Sequence, residues 1–222
     1  MNRSILITAG PTWVPIDEIR IITNISTGET GYNIAKKALE IGYNVTLLMG
    51  PGSVELDKTY FGPIELIRFN YYTELLSHMK ILLLSRKYHI IIHSSAVSDY
   101  MIKETIPGKI RSGLPNLQLT LEPTIKIVDK IKEWAKDIIL VKFKLECHRA
   151  ESDIIDIAYQ SLVNSKADIV VANRYGANGN SIDYTCIIDK KKNITKVQFR
   201  SQLPEILLNK LESLCSPQTG IK

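Results

Sequence analysis

Short runs of β-branched and aliphatic residues alternate along this chain with longer stretches of helical periodicity. That alternation dictates βαβ units and a mostly parallel sheet. The first run, Ser4-Ile5-Leu6-Ile7-Thr8, stops at Ala9-Gly10-Pro11. Over residues 28–41 the apolar positions Ile34, Ala35, Ala38, Leu39 and Ile41 fall on one helical face, and Gly42 ends the pattern. Strands are predicted at 44–48 and 64–69, then a helix near 73–85. His89-Ile90-Ile91-Ile92-His93 is a continuous apolar core between turn signals, as a buried parallel strand requires. A helix at 126–134, a strand at 138–143, a helix at 151–165 and a strand at 169–172 complete the alternating pattern. An antiparallel hairpin (184–188 and 194–199) and a helix at 203–214 follow.

With 222 residues, 45% of them apolar and 23% charged, the chain can bury one core without disulfide or metal staples. Disordered and fibrous classes are excluded. The expected architecture is a single α/β domain over residues 1–222. It is Rossmann-like, a mostly parallel sheet with helices on both faces, plus a C-terminal β-hairpin and helix. Lysine and arginine number 28 against 23 acids, a charge of +5. So small an excess suits phosphorylated metabolites and not a nucleic-acid partner. Cys147, Cys186 and Cys215 are far apart and odd in number, so neither a zinc ribbon nor a disulfide framework is readable. No apolar run reaches the roughly 18 residues of a membrane span, and a cytoplasmic location without membrane contact is expected.

In open parallel sheets ligands bind beyond the carboxyl ends of the strands, where the winding reverses. After the first strand come Gly10-Pro11-Thr12, Pro15-Ile16-Asp17, Arg20 and Thr23-Asn24-Ile25-Ser26-Thr27-Gly28, which opens the first helix. Free N–H groups at a helix start suit a phosphate or carboxylate. Ser26 and Glu29, at capping-box spacing, could equally satisfy that end themselves. After the fourth strand, Ser94-Ser95-Ala96-Val97-Ser98-Asp99-Tyr100 combines small residues with Asp99, which is either a ligand for magnesium or a hydroxyl, or a turn former. Phe143 beside Lys144 could offer an aromatic face and a cation to a nucleotide, or Phe143 could simply fill the core.

Lys109 and Arg111 lie in the stretch 101–118, where Pro107, Gly108, Gly113 and Pro115 break all periodicity. A loop that long is functional or disordered, and it is expected to be mobile. The tail 216–222 is expected to fray. No GxGxxG follows the first strand, and no acid ends the second to hold a ribose. Tyr32 and Lys36 form a Tyr-x-x-x-Lys pair that reads as helix-face filler. His89 and His93 stand about 13 Å apart along one strand, too far to share a metal.

Taken in order, several segments resemble the phosphopantothenate–cysteine ligase family, also called phosphopantothenoylcysteine synthetase, in its stand-alone bacterial type. They are Gly10-Pro11-Thr12, Pro15-Ile16-Asp17 to Arg20, Thr23-Asn24-x-Ser26-Thr27-Gly28-x-x-Gly31 and Ala96-Val97-Ser98-Asp99-Tyr100. Lys109-Ile110-Arg111-Ser112, Phe143-Lys144-Leu145 and Ala167-Asp168-x-x-Val171-Ala172-Asn173 extend the match through residue 175.

The resemblance implies a nucleotide-binding ligase domain that forms a homodimer, with strands outside the core sheet helping the pairing. It implies a step of coenzyme A biosynthesis. A nucleoside triphosphate, CTP in preference to ATP, acts with Mg2+ to activate the carboxylate of 4′-phosphopantothenate as an acyl-nucleotidylate. Pyrophosphate leaves, and the amine of cysteine then forms the amide. The product would pass to a separate flavin-dependent decarboxylase. By the same resemblance Lys109 and Asn24 are catalytic, while Gly10, Asp99, Phe143 and Lys144 bind the nucleotide, Asp99 also taking the metal. Arg20, Ser26, Thr27, Gly28 and Ala96 bind the acid substrate.

Several positions depart from the family pattern: Lys142 stands for a usual glycine, Arg174 for a common aspartate, Glu29 for a basic or neutral residue, and Cys147 and His148 follow Glu146 in a region that differs from the relatives. Lys142 is expected to crowd the base pocket. These departures keep open a non-catalytic relative that binds a nucleotide or phosphopantothenate. A Rossmann oxidoreductase is the remaining alternative, opposed by the missing glycine fingerprint.

Overall fold

The computed structural model describes residues 3–57, 59, 63–85, 88–176 and 181–215, so the tail 216–222 lies outside the described residues. The chain runs β1 (Ser4–Ala9), β2 (Trp13–Pro15), β3 (Ile21–Thr23), α1 (Glu29–Glu40), β4 (Asn44–Met49), β5 (Ile64–Arg68), α2 (Tyr72–Ser85) and β6 (Ile90–His93). It continues through β7 (Tyr100–Ile102), β8 (Leu121–Pro123), α3 (Ile127–Trp134), β9 (Ile139–Cys147), α4 (Glu151–Asn164), β10 (Ile169–Tyr175), β11 (Ile182–Asp189), β12 (Ile194–Lys196) and α5 (Leu203–Cys215).

Eight strands form one sheet in the order β12-β11-β10-β9-β6-β1-β4-β5. Neighbours from β10 to β5 are parallel, whereas β11 and β12 join antiparallel. The chain winds outward from β1 to β4 and β5, then crosses back to β6 on the other side of β1. The winding therefore reverses between β1 and β6, the place where such sheets open a crevice.

The two-residue period of the strands divides the core into two layers. Ile5, Ile7 and Ala9 of β1 face α1 and α5, meeting Ile34, Ala38 and Leu207. Leu6 faces α2, α3 and α4 across the sheet, meeting Met79, Ile131 and Ile154. Ile90, Ile91 and Ile92 are completely buried because β6 has strands on both edges and helices on both faces. Burying each such side chain favours folding by about 1.5–3 kcal/mol. No helix among the described residues is long and apolar enough to cross a membrane.

Two small ribbons, β2–β3 and β7–β8, stand outside the main sheet, and residues 103–120 connect the strands of the second. At the opposite rim, by the amino ends of the strands, Arg3 donates to Glu212 (2.7 Å) and to the carbonyl of Cys215 (3.3 Å). Tyr43 donates to the same Glu212. The last helix is thereby tied to the start of β1.

Candidate active site at the carboxyl ends of the strands

Beyond the sheet, the exits of β1 and β6 run side by side. The N–H of Ala96 donates to Gly10 O at 3.0 Å, and Thr12 N–H donates to Ala96 O at 3.3 Å. Thr12 and Ser98, both buried, join their hydroxyls at 3.0 Å, and Ser98 N–H donates to Thr12 Oγ1 at 2.9 Å. Two loops that sequence separates widely become one rigid wall.

The start of α1 closes on this wall. Gly28 is its N-cap with φ 83°, and no side chain caps the helix. The capping box expected of Ser26 and Glu29 does not form; Thr27 Oγ1 accepts the N–H of Glu29 at 3.2 Å instead. The helix begins at Glu29 with Gly28 as its N-cap, so Ser26 stands two residues before the cap and Glu29 is N1 and not the N3 a capping box needs. A Cβ on Gly28 would stand 2.5 Å from Met49 Cε and 3.2 Å from Gly10 N. One on Gly31 would meet Ala9 Cβ and Ser94 Oγ, each at 2.6 Å. The Gly-x-x-Gly spacing therefore lets the first helical turn sit directly on the ends of β1, β4 and β6. These are the turning and close-approach tasks of a dinucleotide fingerprint, carried out by glycines that the β2–β3 ribbon separates from Gly10.

Asn24 crosses from this helix entry to the opposite exit. Its amide donates to Ala96 O at 3.1 Å and to Val97 O at 3.2 Å. Gly10, Asn24, Thr27, Gly28 and Ala96, all chosen from sequence, are thus brought together. Ile25 beside them is 99% exposed.

Lys109 lies on a different segment, held against the β2–β3 ribbon. Ile106 N–H donates to Ile16 O at 3.2 Å, and Ile110 N–H donates to Asp17 Oδ2 at 3.0 Å. Lys109 is exposed and makes no ion pair among the described residues. Arg20 directs its guanidinium to Asp17 and to Ile110 O (3.3 Å).

Phe143 and Lys144 do not form a joint cradle. Neighbours in a strand point to opposite faces: Phe143 packs against the α1–α5 layer, while Lys144 pairs with Glu146 at 2.9 Å on the other face. The same alternation corrects the reading of Lys142, which leaves the Phe143 face clear. It is buried against α4, donating to Ser161 Oγ (2.8 Å), Ser161 O and Ser165 Oγ (both 3.1 Å). Burial lowers its pKa to about 8.

The family described as DNA/pantothenate metabolism flavoprotein, C-terminal domain, matches residues 1–212. This chain belongs to that family. It is 34% identical over 215 residues to the coenzyme A biosynthesis bifunctional protein CoaBC of Thermococcus kodakarensis, covering 96% of this chain and 52% of that protein. The CoaBC of Bacillus subtilis is 33% identical, covering 80% of this chain and 42% of that protein. The chain thus spans about half the length of these curated relatives. Among solved structures, the DNA/pantothenate metabolism flavoprotein of Streptococcus pneumoniae superposes with a TM-score of 0.83 at 29% identity, covering 96% of this chain and 99% of that one. The H337A mutant of Cab2 in complex with phosphopantothenate-cysteine shares the fold, with a TM-score of 0.77 at 20% identity, covering 96% of this chain and 88% of that one.

Within this family domain Asp99 is exposed, and its carbonyl accepts Thr124 N–H at 2.9 Å. Among the described residues no three His, Cys, Asp or Glu side chains cluster to hold a metal. His93 is buried, 2.9 Å from Thr8 Oγ1, and burial followed by nearby Lys142 lowers its pKa to about 4, so it stays neutral. The residue that sequence reasoning passed over is Asp17. Burial would raise its carboxyl, but the N–H groups of Ile110, Ile19 and Arg20 outweigh it and set its pKa at about 2. A signal was available: an acid placed to accept the N–H groups two and three residues on, with arginine at the third, is a turn clamp.

Proposed function

We propose that this domain joins 4′-phosphopantothenate to cysteine through an acyl-nucleotidylate, with CTP favoured over ATP. The observation that carries the reading is Asn24, anchored on Ala96 and Val97 beside the uncapped start of α1. A polar amide, free helix N–H groups and small residues then line one crevice at the winding reversal, a site suited to two anionic ligands meeting end to end.

In the first step a carboxylate oxygen of the acid attacks the α-phosphorus, the new P–O bond forms, and pyrophosphate leaves. In the second the amine of cysteine attacks the acyl carbon, the amide bond forms, the nucleoside monophosphate departs, and the amine proton passes to solvent. Such displacements need in-line placement and positive charge more than acid–base groups. Lys109, on the segment tied to the β2–β3 ribbon, supplies the charge with its long side chain, and the cover of that segment keeps water from the mixed anhydride. Arg20, its side chain 38% exposed, keeps N–H groups for the acid substrate. Ser26, Thr27 and Gly28 take the substrate at the helix start, and Gly10 borders the nucleotide together with Phe143 on one face of β9, Lys144 reaching it from the opposite face. Asp99 would offer one carboxylate to a Mg2+ ion held mainly by the triphosphate, and that ion would neutralise phosphate charge. A single exposed acid fits an ion carried mainly by phosphates.

The assembly is read as a homodimer, and its support is the apolar surface of the small ribbons, where Ile19, Ile22, Tyr100 and Met101 are 63%, 39%, 56% and 39% exposed. The product would go to a flavin-dependent decarboxylase. The regulatory alternative loses one of its arguments, since Lys142 is turned away from the Phe143 face.

The test is pyrophosphate release with Mg2+, the acid substrate and either CTP or ATP, followed by addition of cysteine. Release with faster turnover on CTP, and discharge of the trapped intermediate by cysteine, is the expected result. Binding without release from either nucleotide would favour a regulatory protein, and hydride transfer to NAD would overturn both.

A further inference from the structure

Lys109 carries a long flexible stem, is exposed and makes no ion pair among the described residues. Only its backbone can decide where its ammonium begins. That backbone is tied on both sides. Before it, Gly108 N–H donates to Glu18 Oε1 at 3.1 Å, and Glu18 N–H donates to Gly108 O at 3.3 Å. After it, Ile110 N–H donates to Asp17 Oδ2 at 3.0 Å while its carbonyl accepts from Arg20 at 3.3 Å. Asp17 is only 3% exposed and also accepts the N–H groups of Ile19 (2.9 Å) and Arg20 (2.8 Å) and the guanidinium of Arg20.

The ribbon that bears Asp17 is itself fixed to the crevice. Trp13 N–H donates to Asn70 O at 2.8 Å, and Thr23, next to Asn24, donates its hydroxyl to Thr12 O at 3.1 Å. One buried carboxylate therefore links the Lys109 segment, through a three-residue strand, to Asn24.

We propose that Asp17 is a positioning residue for Lys109, fixing the register of that segment against the β2–β3 ribbon through the N–H of Ile110 and the guanidinium of Arg20. Its carboxylate accepts hydrogen bonds and transfers no proton. The catalytic consequence rests on the ligase reading; the latch itself does not. With its pKa near 2, the carboxylate keeps these bonds charge-assisted at neutral pH.

Two measurements on the full chain test it. Trypsin cleaves after Lys109 and Arg111 within the segment, and after Lys191 in the exposed β11–β12 turn, which serves as an internal reference. Cleavage by an exposed-site protease tracks how often a segment opens. Asp17→Asn should raise the rate at Lys109 and Arg111 by about tenfold relative to Lys191. Glu18→Ala, a surface change, should raise it by a smaller factor and decides the matter if Asp17→Asn does not fold. An unchanged rate in the folded variant overturns the latch.

The second measurement is a double-mutant cycle on pyrophosphate release. Asp17→Asn alone should lower kcat by about 10²-fold, while KM for the acid substrate rises only as far as Arg20 shifts. In a Lys109→Gln background it should cost under about threefold, because its effect is already lost. Additive losses would overturn the assignment. Full turnover in Lys109→Gln alone would overturn the catalytic half and leave the proteolysis to judge the latch.

Discussion

Side chains at this crevice differ in how their environment sets their charge, and the differences can be measured. Lys109 is exposed and unpaired among the described residues, so its charge is free to meet a ligand. Lys109→Gln should keep the fold, checked by circular dichroism, and lower turnover on the order of 10²–10³-fold, as expected when one preorganised cationic contact is removed. Lys142 is the opposite case. Its pKa falls from 10.5 to about 8 because burial penalises the ammonium. Between about pH 8 and 10.5 the unfolded chain holds a proton that the folded chain has released, so stability should rise with pH through that window. Lys142→Met should flatten the rise, read as denaturant midpoints at either end of the window, and should leave turnover intact. A loss of turnover would mean that Lys142 reaches the site after all. Phe143 and Lys144 carry the same lesson: they are adjacent in sequence and opposed in space, and only strand alternation reveals it.

Among the elements, legibility followed burial. β6 was readable because Ile90-Ile91-Ile92 is apolar on every side, as a strand with two neighbours and two helical layers must be. The strands of β2–β3 and β7–β8 are three residues long, include Pro15 and Pro123, and bury only Val14 and Ile102, too few positions to impose a period. Nothing local marks them as strands; only their pairing does. The helix start was misread for a related reason. Ser26 and Glu29 have capping-box spacing, yet Gly28 adopts a left-handed turn that the letters alone do not specify. Its close approach can be tested at Gly31, where a Cβ would lie 2.6 Å from both Ala9 Cβ and Ser94 Oγ. Gly31→Ala should destabilise the domain by about 1–3 kcal/mol through overpacking, despite the better helix propensity of alanine. A denaturation midpoint equal to that of the parent would show that the helix can shift freely.

Across the whole molecule, a mostly parallel sheet covered on both faces followed from the alternating pattern and chain length, whereas the strand order and the reversal between β1 and β6 came only with the structure. Gly10, Asn24, Thr27, Gly28 and Ala96 came together because they lie beyond the carboxyl ends of β1 and β6, while Lys109 stands on a separate segment and Phe143 and Lys144 on opposite faces of β9. What sequence order could not disclose was the contact between the two ribbons and the Lys109 segment, since that depends on backbone groups distant in the chain. The exposed apolar surface of those ribbons also belongs to this scale. Light scattering should give twice the 25.1 kDa chain mass, and Ile22→Asp combined with Met101→Asp should return it to one chain. A parent that already scatters as a single chain would leave that surface to another partner.

The pairing of Arg3 with Glu212 and Cys215 has a consequence for architecture. Both ends of the described fold meet on the rim opposite the candidate site, so a tethered neighbour can be grafted or removed there without reshaping the crevice. A circular permutant joining these points through a short flexible bridge should fold.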